Sequence, residues 1–171
     1  IELNIAPIYA LVNCAGVEHY GVFQNISEEE LELVLKINLS AAMLASKYVL
    51  RFMLDRKNGK IINISSVWGE RGAAFEVAYS TAKAGLIGFT KALAKEVAPS
   101  NILVNCISPG AVDTKMTTKL GENTVKELKM EIPQRRLATP MDISNAVDFL
   151  ISDKSNYFSG ANLSLNGGWG I

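Results

Sequence analysis

Apolar positions along this chain recur with two different periods, and the periods alternate. "PIYALVNCAG" (7–16) is a compact apolar run ending in Asn, Cys, Ala and Gly. That is the pattern of a strand buried on both faces before it enters a loop. Over 26–59 the spacing becomes helical, with Leu31, Val34, Leu35, Leu39, Met43 and Leu44 recurring on successive turns. Ser27 followed by Glu30 is a capping-box signature, and the acids of the first turn suit the positive end of a helix. "GKIINISSV" (59–67) is short, β-branched and opened by glycine, a second strand. "EVAYSTAKAGLIGFTKALAKEVAP" (76–99) is helical and closed by Pro99, and "NILVNCISPG" (101–110) is a third strand. "TPMDISNAVDFLISD" (139–153) is a helix with Thr139 as N-cap and Pro140 in its first turn. "GANLSLNGGW" (160–169) closes the series as a strand.

Strands alternating with helices specify an α/β fold with a parallel sheet, a single domain over 1–171. In such sheets ligands sit at the carboxyl ends of the strands. The rule selects one rim: Asn13 to Gly16, Ser65 and Ser66, and Pro109 to Thr114. The polar, Lys- and Thr-rich stretch 113–131 breaks the alternation and is expected to form a lid over that rim.

Composition narrows the classes. Hydrophobic residues make up 49% and charged residues 20%, which suits a packed core and excludes a disordered chain. Lys plus Arg and Asp plus Glu both number 17, so no field of one sign recruits nucleic acid or an acidic membrane surface. The apolar stretches contain polar residues and fall short of a membrane span. Cys14 and Cys106 each end a predicted buried strand, and both are expected to be reduced core thiols of a cytoplasmic protein. Two cysteines without CxxC spacing and a lone His19 make no metal site.

One pair carries chemistry. Tyr79 and Lys83 stand four apart and share a helix face. A nearby ammonium favours the phenolate, and a tyrosine so tuned gives a proton to a carbonyl oxygen or takes one from an alcohol. Ser66, at the end of the preceding strand, is placed to donate to the same oxygen. Taken alone, the pair reads first as a half-buried tyrosine beside a snorkelling lysine.

The set read together changes this. "NCAG" (13–16), "KINLSAA" (36–42), "INISSVWG" (62–69), "YSTAK" (79–83) and "SPGAVDT" (108–114) stand in one order at the ends of alternating elements. With them the chain resembles the short-chain dehydrogenase/reductase family over nearly its whole length. The likeness is greatest to the bacterial 3-oxoacyl-acyl-carrier-protein reductase type. The resemblance implies a Rossmann-like, doubly wound parallel sheet and an NAD(P)-dependent ketone reductase, with NADP(H) favoured over NAD(H). It implies catalytic roles for Asn38, Ser66, Tyr79 and Lys83. Tyr79 would be the general acid, and Lys83 would bind the nicotinamide ribose and lower the tyrosine's pKa. Asn38 would hold a water at a break in the long helix. It further implies cofactor contacts from Asn13, Ala15, Gly16, Ile64, Tyr79, Lys83, Pro109, Gly110, Val112 and Thr114. The substrate pocket would be lined by Ser66, Trp68 and Phe75, with Glu70, Arg71 and Glu76 as polar groups beside it. Cys14 replaces the second Asn of the family's Asn-Asn-Ala-Gly turn.

The family's glycine-rich dinucleotide turn does not precede "ALVNCAG". Two leading βαβ units, roughly 70 residues at ~30 per unit, are expected to be missing, which leaves the fold N-terminally incomplete. The implied substrate is a 3-oxoacyl group on acyl carrier protein. Lys57 matches one basic carrier-binding position, but Ser100 stands where an arginine is common. "SSVWGERGAAFEVAYS" (65–80) also resembles reductases of a 5-aminopentanone group on translation elongation factor P. Sugar or alcohol dehydrogenases and an inactive scaffold subunit are the remaining alternatives. The family's usual assembly implies a homotetramer for the complete protein.

Overall fold

The computed structural model describes residues 8–170. Four strands, β1 (Ala10–Asn13), β2 (Gly59–Ile64), β3 (Ile102–Pro109) and β4 (Asn162–Leu165), form one sheet in the order β1-β2-β3-β4. Every pair is parallel. All four strands therefore end on one edge, which brings Asn13, Ile64, Pro109 and Leu165 to a common rim. This is the expected α/β, Rossmann-like arrangement, and helices cover both faces of the sheet.

The covering follows from alternation along the strands. Ile61, Ile102 and Val104 point to one face and pack on Val49 and Met53 of α2 (Ala41–Arg56) and on Leu93, Ala94 and Val97 of α4 (Val77–Val97). Ile62 and Ile107 point to the other face, against Leu150 and neighbours on α7 (Pro140–Ile151). A fully buried Ile or Val contributes about 1.5–3 kcal/mol, so this double layer accounts for the apolar runs of β2 and β3. The Ser27–Glu30 capping box is formed as expected, and the expected N-cap Thr139 also forms a second, unexpected box with Asp142. Asp142 also pairs with Arg136, and these partners hold its carboxyl well below the usual carboxylate range.

The long helical stretch is not one regular amphipathic helix: it is interrupted around Asn38, where the resemblance implied a break. It begins as α1 (Glu28–Leu35), widens into a π-type turn over Lys36–Ser40, and continues as α2. The buried line on α2 is Ala42, Ser46, Val49 and Met53; Met43 and Leu44 face outward. The extra residue in the π turn rotates the face, so a period read straight through from Leu31 ends on the exposed side. Glu28–Arg56 is also long and apolar enough by length and composition to cross a membrane, contrary to the reading of short apolar stretches. Its charges concentrate at the two ends and leave an apolar centre, which here lies against β1 and β2.

Between β2 and α4 runs a short helix, α3 (Val67–Arg71), which the sequence pattern does not signal. The stretch 113–131 is largely helical, with α5 (Lys115–Thr118) and α6 (Glu122–Glu131). Cys106 is buried as expected, but Cys14 is exposed: β1 is the edge strand of the described sheet and none of its own residues is buried, Val12 being exposed as well.

A polar chain crosses this core. Asn13 Nδ2 donates to Asn63 Oδ1 (2.8 Å) and to Ser46 Oγ (3.2 Å). Asn63 Nδ2 donates to Thr90 Oγ1 (2.8 Å), which donates on to the Leu86 carbonyl. The chain ties β1 and β2 to α2 and α4. Breaking a buried, satisfied hydrogen bond costs about 1–3 kcal/mol for each group left unpaired. Asn63→Ala should therefore lower stability by about 2 kcal/mol, read as a fall in the urea midpoint at unchanged m-value.

Candidate active site

Helix α4 fixes the two residues singled out first. Its buried line runs through Ala78, Ala82, Lys83, Leu86 and Thr90, so the helix can lie close to the sheet end. Two glycines allow that approach. A Cβ on Gly69 of α3 would lie 2.7 Å from Ser65 Oγ and 2.8 Å from the Lys83 carbonyl carbon. One on Gly85 would lie 2.9 Å from Leu39 Cδ2. Lys83, 3% exposed, extends past the end of β2 and donates from Nζ to the Ile64 carbonyl at 2.9 Å. Its Nζ stands 5.6 Å from the centre of the Tyr79 ring. Ser65 is occupied structurally, donating to the Lys83 carbonyl at 2.8 Å.

Ser66 caps α3, and its Oγ accepts from the Trp68 N–H at 3.2 Å. That contact uses a lone pair and leaves the hydroxyl proton free to donate. The Ser66 hydroxyl favours the ionised form of the Tyr79 phenol.

Asn38 occupies the π turn of the long helix. Its Nδ2 donates to the carbonyls of Val17 and Val34, both at 2.9 Å, and its Oδ1 accepts from the Val17 N–H at 3.2 Å. The widened turn and the Asn38 side chain together pin the loop after β1. Gly16 is required there: a Cβ would fall 2.8 Å from Asn38 Oδ1 and 3.4 Å from Lys83 Nζ. Asn38, Gly16, Lys83, Ile64, Ser66 and Tyr79 thus form one continuous cluster.

The electrostatics differ from the expectation that Lys83 lowers the tyrosine. Burial pushes the Tyr79 phenol above its ordinary value, the Ser66 hydroxyl pulls the other way, and Glu76 and Glu18 add to the rise. Burial likewise pushes the Lys83 ammonium below its ordinary value. The reason is geometric: the ammonium is directed at a backbone carbonyl and stands beside the ring rather than at the hydroxyl. Glu76, half-buried at the start of α4, is raised by burial and by Glu18, while the Trp68 indole favours its ionised form. Glu18 is a neighbour of the phenol that no spacing pointed to. The loop carrying it is clasped to the α4 entrance by a Gly21 N–H bond to the Phe75 carbonyl (2.8 Å) and by packing of Tyr20 on Phe75. Phe75 has a left-handed backbone, φ +66°, a strained setting for a bulky residue and one that such sites tolerate.

The remaining rim residues occupy the end of β3. The Gly110 N–H donates to the Leu165 carbonyl at 2.9 Å, and a Cβ there would lie 2.9 Å from the Asn166 Cα. Val112 bridges to Ala138, and its carbonyl accepts from Thr117 Oγ1 at 2.6 Å. Thr114 precedes α5 without capping it through its side chain. Asn13 faces the core network rather than the rim, and Trp68 packs edge-on against Trp169, with ring centres 4.9 Å apart. A polar recess of about 520 Å³ opens beside β4 and is lined by Arg136, Asn145, Ser164 and Asn166, among others; Ser66, Tyr79 and Lys83 do not line it. No group of His, Cys, Asp and Glu able to hold a metal occurs among the described residues.

The chain is similar to a family model and to several known proteins. The family model described as "Enoyl-(Acyl carrier protein) reductase" matches residues 3–170. The chain is 44% identical over 168 residues to an acetoacetyl-CoA reductase of Allochromatium vinosum, covering 98% of this chain and 68% of that protein. It is 40% identical over 165 residues to an uncharacterized oxidoreductase of Bacillus subtilis, covering 96% and 68%. Identity to the 3-oxoacyl-acyl-carrier-protein reductase of Aquifex aeolicus is 45% over 158 residues, covering 92% of this chain and 64% of that protein. The chain therefore spans about two thirds of the length of these relatives, and it belongs to the short-chain dehydrogenase/reductase family of NAD(P)-dependent oxidoreductases.

Proposed function

We propose that the protein reduces the ketone of a 3-oxoacyl thioester to an alcohol, with Tyr79 as the general acid. The observation that carries this reading is the buried Lys83, its Nζ 5.6 Å from the centre of the Tyr79 ring, at the carboxyl ends of the strands where Ser66 caps α3. The two relatives named as acetoacetyl-CoA reductase and 3-oxoacyl-acyl-carrier-protein reductase support the substrate class.

Ser66 donates its free proton to the carbonyl oxygen and orients it. Tyr79, held protonated by its raised pKa, gives its proton to the same oxygen as negative charge develops there. Lys83 supplies positive charge from below, and Asn38 holds the loop that carries Gly16 against it. The bare Gly16 and the clustered Lys83 and Tyr79 fit the ribose end of a nicotinamide nucleotide. Ala15, Gly16, Ile64, Pro109, Gly110, Val112 and Thr114, with Asn13 behind them, would hold it. Bound there, NAD(P)H supplies the hydride that the carbonyl carbon accepts. NADP(H) is preferred over NAD(H) in this reading. Trp68 and Phe75 line the substrate side; Lys57 lies at the amino end of β2, opposite the rim, so an acyl-carrier-protein-bound substrate entering at the rim would not meet it in the same chain. The exposed Leu44, Tyr48 and Phe52 on α2 support contacts between copies, as in a homotetramer.

A second reading has one observation in its favour. Glu76, half-buried at the start of α4, raises the Tyr79 phenol together with the exposed Glu18, which is paired with Lys119 at 3.6 Å, and the Glu76 carboxylate suits a ketone bearing an ammonium, such as a 5-aminopentanone group.

With the full-length protein and either nucleotide, Tyr79→Phe should abolish reduction of acetoacetyl thioester while the circular dichroism spectrum is unchanged; unchanged turnover would overturn the mechanism. The wild-type reduction rate should hold through neutral pH and fall only as pH rises through the tyrosine's pKa, above its ordinary 10.0. For an aminopentanone substrate, KM should rise as pH falls through the Glu76 titration, above that group's ordinary 4.5, whereas KM for the thioester stays flat. Equal profiles for both substrates would remove the second reading.

A further inference from the structure

We infer that Glu70 is a positioning residue: it bolts α3 to β4 and so fixes the Ser66 hydroxyl. This inference rests on the proposed role of Ser66. α3 is only five residues long, and a helix of that length has little stability of its own. Its orientation must come from tertiary contacts, and it carries both Ser66, as its N-cap, and Trp68. Val67 and Gly69 seat it on α4 and the end of β2, and its remaining side chains reach β4 and the turn after it. Glu70 Oε1 accepts from Asn162 Nδ2 and from Ser164 Oγ, two side chains that project from β4. Trp68 lies edge-on against Trp169. The Arg71 guanidinium lies against Gly170, where a Cβ would fall 1.9 Å from Nη1.

The turn that receives these contacts is itself fixed to other walls of the site. The Gln134 N–H donates to the Gly167 carbonyl at 3.2 Å, and Asn166 packs against Gly110. Gly167 and Gly168 have φ of +63° and +83° and would meet Ile132 and Pro133 at 3.0–3.1 Å if given a Cβ. The turn therefore joins the segment after α6, the loop after β3 and α3. Of the α3 contacts, the Glu70 fork is polar, directional and made to a strand, so it sets both the height and the tilt of the helix. Asn162 Nδ2 and Ser164 Oγ can donate equally to an amide oxygen. The brace thus needs an acceptor at position 70 and not a charge.

The test is a set of variants with two readouts. Glu70→Ala should lower kcat on acetoacetyl thioester by about 10- to 100-fold at little changed KM, since a misplaced catalytic group costs rate of that order. Glu70→Gln should restore most of the rate. In a Ser66→Ala background, Glu70→Ala should add no further loss, because the brace acts through that hydroxyl. Equal losses in Gln and Ala, or additive losses in the double variant, would overturn the inference. The second readout does not need turnover. Trp68 and Trp169 are the tryptophans among the described residues and touch each other, so with any other tryptophan replaced by phenylalanine in the wild type and both Glu70 variants, the emission reports on this contact. Glu70→Ala should shift or unquench it and Glu70→Gln should not. Emission identical in all three proteins would refute the brace whatever the enzyme reduces. An inactive wild type that shows the emission change would instead count against the proposed reaction.

Discussion

A lysine ammonium buried at the rim of the sheet is the constraint around which this end of the molecule is organised. Removing such a charge from water costs several kcal/mol unless it is hydrogen-bonded. The fold meets that cost with the Ile64 carbonyl at 2.9 Å and with space made by Gly16, which no larger residue could occupy. Gly69 lets α3 approach the Lys83 backbone, and Gly85 lets the long helix approach α4 at its π turn. Asn38 then ties that turn to the loop after β1. Of these residues Gly16 borders the ammonium itself, while Gly69 and Gly85 set the close packing of the helices that carry it. In the proposed mechanism that charge is the means by which proton transfer is supported.

The same geometry explains why the tyrosine is poised as an acid. Burial raises the phenol, and two carboxylates add to the rise. Ser66 works in the opposite direction and is the group best placed to modulate it. The balance depends on side chains from α3, α4 and the loop after β1, elements far apart in sequence that meet only at the strand ends. A sub-ångström displacement of α3 alters the Ser66 contact directly.

Much of this was legible in the sequence because it is local. The periods of β2 and β3, the Ser27–Glu30 capping box, and the Tyr79–Lys83 spacing each arise from neighbours along the chain. The parallel order of strands followed from their alternation with helices, and it placed Ser66 beside Tyr79. What was not legible depends on long-range packing. The resemblance implied the break at Asn38, but not how the π turn at Lys36–Ser40 rotates the helix face and exposes Met43 and Leu44. The five residues of α3 have no period to read, and the partners of Glu70 lie on a strand more than ninety residues away. Cys14 looks like a core thiol from its apolar neighbours, yet β1 is the edge strand of the described sheet and none of its own residues is buried. The direction of the Tyr79 shift escaped for a similar reason: spacing brings Lys83 near, but it does not show where the ammonium points.

Replacing the charge tests whether the site is built at the expense of stability. Lys83→Met keeps the stem length and removes the ammonium, and exchanging a buried ion for an apolar group is often neutral or stabilising. Urea unfolding and turnover should be measured side by side on the full-length protein. The account expects a midpoint equal to or above that of the wild type, with reduction of the ketone lost by at least about 100-fold. A variant that unfolds much earlier while keeping its turnover would show that Lys83 is a structural residue, and the proposed centre would fall with it.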